Sequence, residues 1–185
     1  MKTHLMKNNV NCPDSNECYT PAGTVKYLLE YIPKYVKTIW CPCDEADSYI
    51  VKELREYGYD VIHTHIKDGF DFLRYSPIPT TYDMIITNPP FNIKTKVLMR
   101  AYELKVPFIF YLPTDALGGY NRFRLYKEHG ANIGVFNTRI NYILKGSNKK
   151  QCWFWSMLLM GNMDTKDQIY WIDNSGKNDK QGELF

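Results

Sequence analysis

Short apolar runs alternate with amphipathic stretches along most of this chain. Residues 38–41 form the first run. A helical pattern follows at 48–57, with Asp47 placed to cap it and Gly58 to stop it. A second run covers 59–66, centred on Val61 and Ile62, and a loop rich in Pro and Thr (76–81) leads to a third at 82–87. Helical spacing returns at 94–104, where Val97, Leu98, Ala101 and Leu104 share a face. A fourth run lies at 106–112, a helix stopped by Gly130 at 122–129, and two further strands at 133–140 and 152–160. Upstream, Thr20-Pro21 has the form of an N-cap with proline in the first turn, predicting a helix from 20 to about 31. Strands alternating with helices predict an α/β fold, a mostly parallel sheet with helices on both faces. No repeat or long linker divides the chain, so a single domain is expected over 1–173. The polar stretch 174–185 reads as a flexible C-terminal tail.

Composition narrows the class. A chain of 185 residues with 44% apolar and 15% aromatic side chains buries a real core. It has no run of eighteen apolar residues, and residues 1–11 lack an apolar stretch, so neither a membrane span nor a signal peptide is expected. Five cysteines at irregular spacing favour a reducing, cytoplasmic setting. The net charge of +3 is unevenly spread: residues 92–150 hold eleven basic and three acidic side chains. That excess suits either a bound polyanion or a solvated basic face.

The basic stretch begins directly after Asn88-Pro89-Pro90-Phe91. These four residues follow the third apolar run, at the strand edge where open α/β sheets bind ligands. Two prolines fix φ and stiffen the turn, which aims the Asn88 amide and leaves backbone carbonyls free to accept. The tetrapeptide resembles the catalytic motif of the S-adenosylmethionine-dependent amino-methyltransferases. The resemblance implies that Asn88 and the carbonyl of Pro89 accept the hydrogens of a substrate amine, Pro90 fixes the turn and Phe91 stacks on the target base. It further implies a Rossmann-like class I fold with a seven-stranded sheet, and S-adenosylmethionine as cofactor. By the same resemblance Tyr19, Thr20 and Pro21 lie near the methionine end of that cofactor. Cys41, Pro42, Cys43 and Asp44 form the loop after the first strand, and His65 stands where the family often has an acidic residue. Asp71 and Phe72 match the pair beside the adenine. The family's loop is usually glycine-rich, whereas 41–48 contains no glycine. The Trp40-Cys41-Pro42 start is similar to that of small phage and prophage adenine-specific DNA methyltransferases.

A zinc site is the competing reading of this region. Cys41 and Cys43 are two apart, as are His63 and His65, and residues two apart in a strand face the same way. The spacing matches no standard zinc signature, so no metal is expected.

Adenine N6 in DNA is the first choice of substrate, because a planar base gains from stacking on Phe91. RNA adenine or guanine amines, and a non-catalytic nucleic-acid-binding relative of the fold, stay open. Lys94, Lys96, Arg122, Arg124, Lys127, Lys149 and Lys150 are the expected phosphate contacts. Lastly, Gln181, Leu184 and Phe185 resemble a peptide that binds the bacterial DNA polymerase sliding clamp.

Overall fold

The computed structural model describes residues 18–144 and 154–176. In chain order the strands are β1 (Cys18–Tyr19), β2 (Thr38–Cys41), β3 (Asp60–His63), β4 (Met84–Thr87), β5 (Phe108–Pro113), β6 (Asn132–Phe136), β7 (Ile143–Leu144), β8 (Ser156–Gly161) and β9 (Ile169–Ile172). The helices are α1 (Tyr49–Glu56), α2 (Lys94–Glu103) and α3 (Tyr120–His129). Seven strands form one sheet in the order β3-β2-β4-β5-β8-β6-β9, and β1 pairs with β7 in a separate two-stranded ribbon. Strands β3, β2, β4 and β5 run parallel, β8 is antiparallel to both its neighbours, and β9 runs parallel to β6. The architecture is thus a single-domain, mostly parallel seven-stranded sheet flanked by helices.

Alternation along the buried strands divides the core in two. Ile39, Met84, Ile86, Ile109 and Tyr111 face α1 and the segment 25–36 on one side. Trp40, Ile85, Phe108, Phe110 and Leu112 face α2 and Phe72 on the other. Strands β4, β5 and β8 are buried along their whole length, which is why they read as continuous apolar runs. At the opposite end from the Asn88 turn, Asp83 Oδ2 accepts from Lys37 N at 2.8 Å and Thr38 N at 2.9 Å, fixing β4 against β2.

Several sequence expectations are corrected. Residues 20–31 do not form one α-helix. They make two short 3-10 turns, Val25–Tyr27 and Leu29–Tyr31. Gly23 has φ +79°, a left-handed conformation that breaks helical continuity, and Glu53 of α1 takes the backbone amides of Gly23 and Val25. Ser48, not Asp47, caps α1, accepting from Val51 N at 3.2 Å. The second run ends as a strand at His63, and a 3-10 turn, Ile66–Asp68, follows. The strands β1, β7 and β9 were not anticipated. Among the described residues no helix is long and apolar enough to cross a membrane.

Candidate active site

Sheet order reverses at β2 and β4. The connection after β2 leads outward to β3, and the one after β4 leads the other way to β5. A crevice opens beyond the C-terminal ends of two strands whose connections diverge in this manner. A cavity of about 340 Å³ occupies it, within the range of small-molecule sites, roughly 300–1,000 Å³. Its walls come from the loop after β2 (Cys43, Asp44, Glu45), the start of α1 (Ser48, Tyr49, Lys52) and His65 and Ile66 after β3. The turn after β4 contributes Asn88, Pro89, Pro90 and Phe91, and the β1–β7 ribbon contributes Cys18, Tyr19, Thr20 and Ile143.

Thr87 ties the two sides of the crevice together. Its hydroxyl donates to Asp44 Oδ2 at 2.6 Å and accepts from Cys43 N at 3.3 Å. The residue is fully buried at the end of β4, and its side chain helps hold the glycine-free loop to the Asn88 turn. Burial pushes the Asp44 carboxyl up to about 6, against the opposing effect of hydrogen bonds from Thr87, Ser48 and the Asn88 backbone amide. Glu45 is held low, chiefly by the Lys67 ammonium 2.6 Å away. Tyr19 also donates to Glu45, at 3.4 Å.

Asn88 is oriented by its own hydrogen bond. Nδ2 donates to the carbonyl oxygen of Cys18 in β1, which leaves Oδ1 as the free end of the amide. Oδ1 is buried and has no partner, and the same holds for Thr20 Oγ1. Buried polar atoms are nearly always paired, and these two unpaired oxygens both belong to residues that line the cavity. Phe91 sits between the two core layers, its ring edge-on to Tyr142 at 5.9 Å and to Phe154 at 5.3 Å. Pro90 opens the 3-10 turn Phe91–Ile93, which runs directly into α2.

Half of the cofactor-side residues named from sequence meet at this cavity: Tyr19, Thr20, Cys43, Asp44 and His65 join the Asn88 turn. Others do not. Pro21, Cys41 and Pro42 lie outside its lining. Cys41 points into the core, where burial raises its thiol far above the ordinary range. Asp71 and Phe72 are also absent from the cavity. Asp71 accepts from Leu73 N at 3.0 Å inside its own turn, and Phe72 is 5% exposed, packed edge-on against Trp40 at 5.4 Å and Phe110 at 6.4 Å. The zinc reading fails in its premise, because β2 ends at Cys41 and Cys43 turns toward the other core layer. Among the described residues no three His, Cys, Asp or Glu side chains converge as a metal site would require.

The basic residues also separate. Arg122 is spent on structure: Nε donates to Ala116 O at 2.8 Å, Nη1 to Thr95 Oγ1 at 2.7 Å and Nη2 to Asp115 O at 3.3 Å. A side chain at position 119 would strike that guanidinium, and Gly119 gives it room. Lys94 pairs with Asp115 at 2.9 Å. Lys96, Arg124 and Lys127 are exposed. Lys149, Lys150, Gln181, Leu184 and Phe185 lie outside the described residues. Thr87, Glu45 and Ser48 were not singled out from sequence. A threonine closing an otherwise apolar strand was the available signal for the first.

Comparison with family models and with curated proteins finds no match. Solved structures do share the fold. A type I restriction-modification methyltransferase subunit from Streptococcus thermophilus has a TM-score of 0.58 at 16% identity, covering 89% of this chain and 49% of its own. A modification subunit assigned to a type I restriction enzyme of Vibrio vulnificus has a TM-score of 0.52 at 15% identity, with coverages of 89% and 49%. The chain therefore spans about half the length of these structures. At such identities the likeness shows the fold alone, one these two methyltransferase subunits share with this chain.

Proposed function

We propose that this protein transfers a methyl group from S-adenosylmethionine to the N6 amine of adenine in DNA. The observation that carries the reading is the Asn88 amide. Its nitrogen is locked on Cys18 and its buried oxygen has no partner, at the crevice where this fold class binds ligands. The residues present fit the cofactor. Asp44 and Asp47 offer carboxylates to a ligand bearing an ammonium and a sulfonium, and Thr20 Oγ1 offers an acceptor. Tyr19, Cys43 and His65 complete that wall. When bound, the cofactor supplies an electrophilic methyl group.

The chain's own residues act on the amine. Asn88 Oδ1 and the Pro89 carbonyl accept its two hydrogens, drawing the nitrogen out of conjugation and freeing its lone pair. Pro90 holds the turn rigid, and Phe91 stacks on the base. Preorganised acceptors and proximity supply the catalysis; the nitrogen, cationic once methylated, is strongly acidic and gives its surplus proton to solvent, so no strong general base is required. DNA as substrate is supported by the basic stretch that follows the turn, and by the restriction-system setting of the structures that share the fold. The reading is tested by transfer of a labelled methyl group to adenine-containing DNA, comparing the wild type with Asn88→Ala. Undiminished transfer by the variant overturns the assigned role. The terminal peptide of Gln181, Leu184 and Phe185 extends the proposal to a sliding clamp. Truncation after Lys180 is expected to abolish clamp binding and spare methyl transfer, as a pull-down and the same transfer assay will show.

A further inference from the structure

We infer that Trp155 and Arg139 form a stacking platform for the nucleobase next to the target base, on a DNA strand whose target base is out of the stack. The inference rests on the proposed methyl transfer to DNA and adds the residues that hold the strand. Trp155 directly follows Phe154, whose ring lies 5.3 Å from Phe91 in the Asn88 turn. Its carbonyl accepts from Thr114 N at 2.9 Å, which fixes it at the C-terminal end of β5, on the same sheet edge as the cavity. The Arg139 guanidinium lies 5.1 Å from the Trp155 ring centre. Yet Trp155 is 45% exposed, although an indole of this size gains by burial. A cation against an exposed indole on the same sheet edge as the Asn88 turn is the arrangement that takes a base by stacking and its phosphate by charge. Further along this edge, Tyr120 is 75% exposed with Arg124 5.9 Å from its ring, a second aromatic–cation pair.

Charge decides the occupant. The stretch 92–150 that contains both arginines carries eleven basic and three acidic residues, which favours a polyanion over an apolar protein partner. An adenine must leave the stack to reach the Asn88 turn, and its departure bares a face of the neighbouring base. Trp155 is placed to cover such a face.

The test uses the full chain as wild type, Trp155→Ala, Trp155→Phe and Arg139→Ala. Affinity for a labelled single-stranded oligodeoxynucleotide containing one adenine is read by anisotropy, and S-adenosylmethionine affinity by calorimetry. Trp155→Ala is expected to weaken DNA binding roughly tenfold or more, Trp155→Phe much less. Arg139→Ala should lower the salt slope by about 0.7. Cofactor affinity should not change in any variant. Unchanged DNA affinity in Trp155→Ala overturns the platform, and equal losses in the Ala and Phe variants overturn stacking as its basis. A wild type that transfers no methyl group but binds DNA through Trp155 leaves the platform standing and removes the catalytic reading. Full transfer with no dependence on Trp155 does the reverse.

Discussion

The two halves of the sheet's C-terminal edge are built on opposite plans. On the β2 side of the Asn88 turn the edge is concave, mainly acidic and tightly hydrogen-bonded. Asp44, Glu45 and Asp47 line a cavity there, and Thr87 holds the loop. On the β5 side it is open, basic and aromatic, with Tyr120, Phe123 and Trp155 each at least 45% exposed and Arg124 and Arg139 beside Tyr120 and Trp155. On the proposed reading, one edge thus sorts a small cationic ligand from a polyanion. Strand β4 lies between the halves, and Asn88 follows its end. The contrast teaches that charge summed over the whole chain, only +3, conceals the functional division.

The comparison breaks most readily at its border. Asn88→Ala is expected to lower kcat about 10²–10³-fold, by analogy with loss of one preorganised polar group, with the melting temperature little changed. On the concave side, Asp44 imposes a pH dependence. Its folded value of about 6 lies above the ordinary 3.8, so the protonated form is favoured by folding. The associated stability is fully present below about pH 4 and is lost as pH rises through 6, about 3 kcal/mol in all. Asp44→Asn should flatten the denaturation free energy between pH 4 and 6. In the wild type, affinity for a cationic ligand should rise over the same range as the carboxylate forms. Thr87→Val strips a buried carboxylate and an amide of their shared partner, and should cost about 1–3 kcal/mol by chemical denaturation. The smallest effects sharpen the open side. Arg122→Ala should cost about 1–2 kcal/mol of stability, since its guanidinium holds the Thr114–Leu117 turn to Thr95. Arg124→Ala should leave stability intact and weaken DNA binding modestly, lowering the salt slope by roughly 0.7–0.9.

The strands around the crevice were legible because both their faces are buried, which makes 38–41, 84–87 and 108–113 continuous apolar runs. The Asn88 turn was legible because its two prolines and aromatic break the third run abruptly. By contrast, β9 alternates exposed Ile169 and Trp171 with better-covered residues in a short, late segment. Strands β1 and β7 are two residues each and exist only through pairing across more than a hundred positions of chain. No local pattern carries such a pairing. Arg122 looked like a phosphate ligand because composition cannot distinguish a guanidinium facing solvent from one tying a turn to a helix. Phe72 looked like a stacking residue by its place after Asp71, and only the packing of Trp40 against it shows where the ring is used.

The central claim is that the glycine-free crevice is a cofactor site. Calorimetric titration of the purified protein with S-adenosylmethionine, alone and with adenine-containing DNA present, tests it most directly. The account predicts micromolar binding near one site per chain, weaker at pH 5 than at pH 7. Absence of binding in both conditions would contradict it.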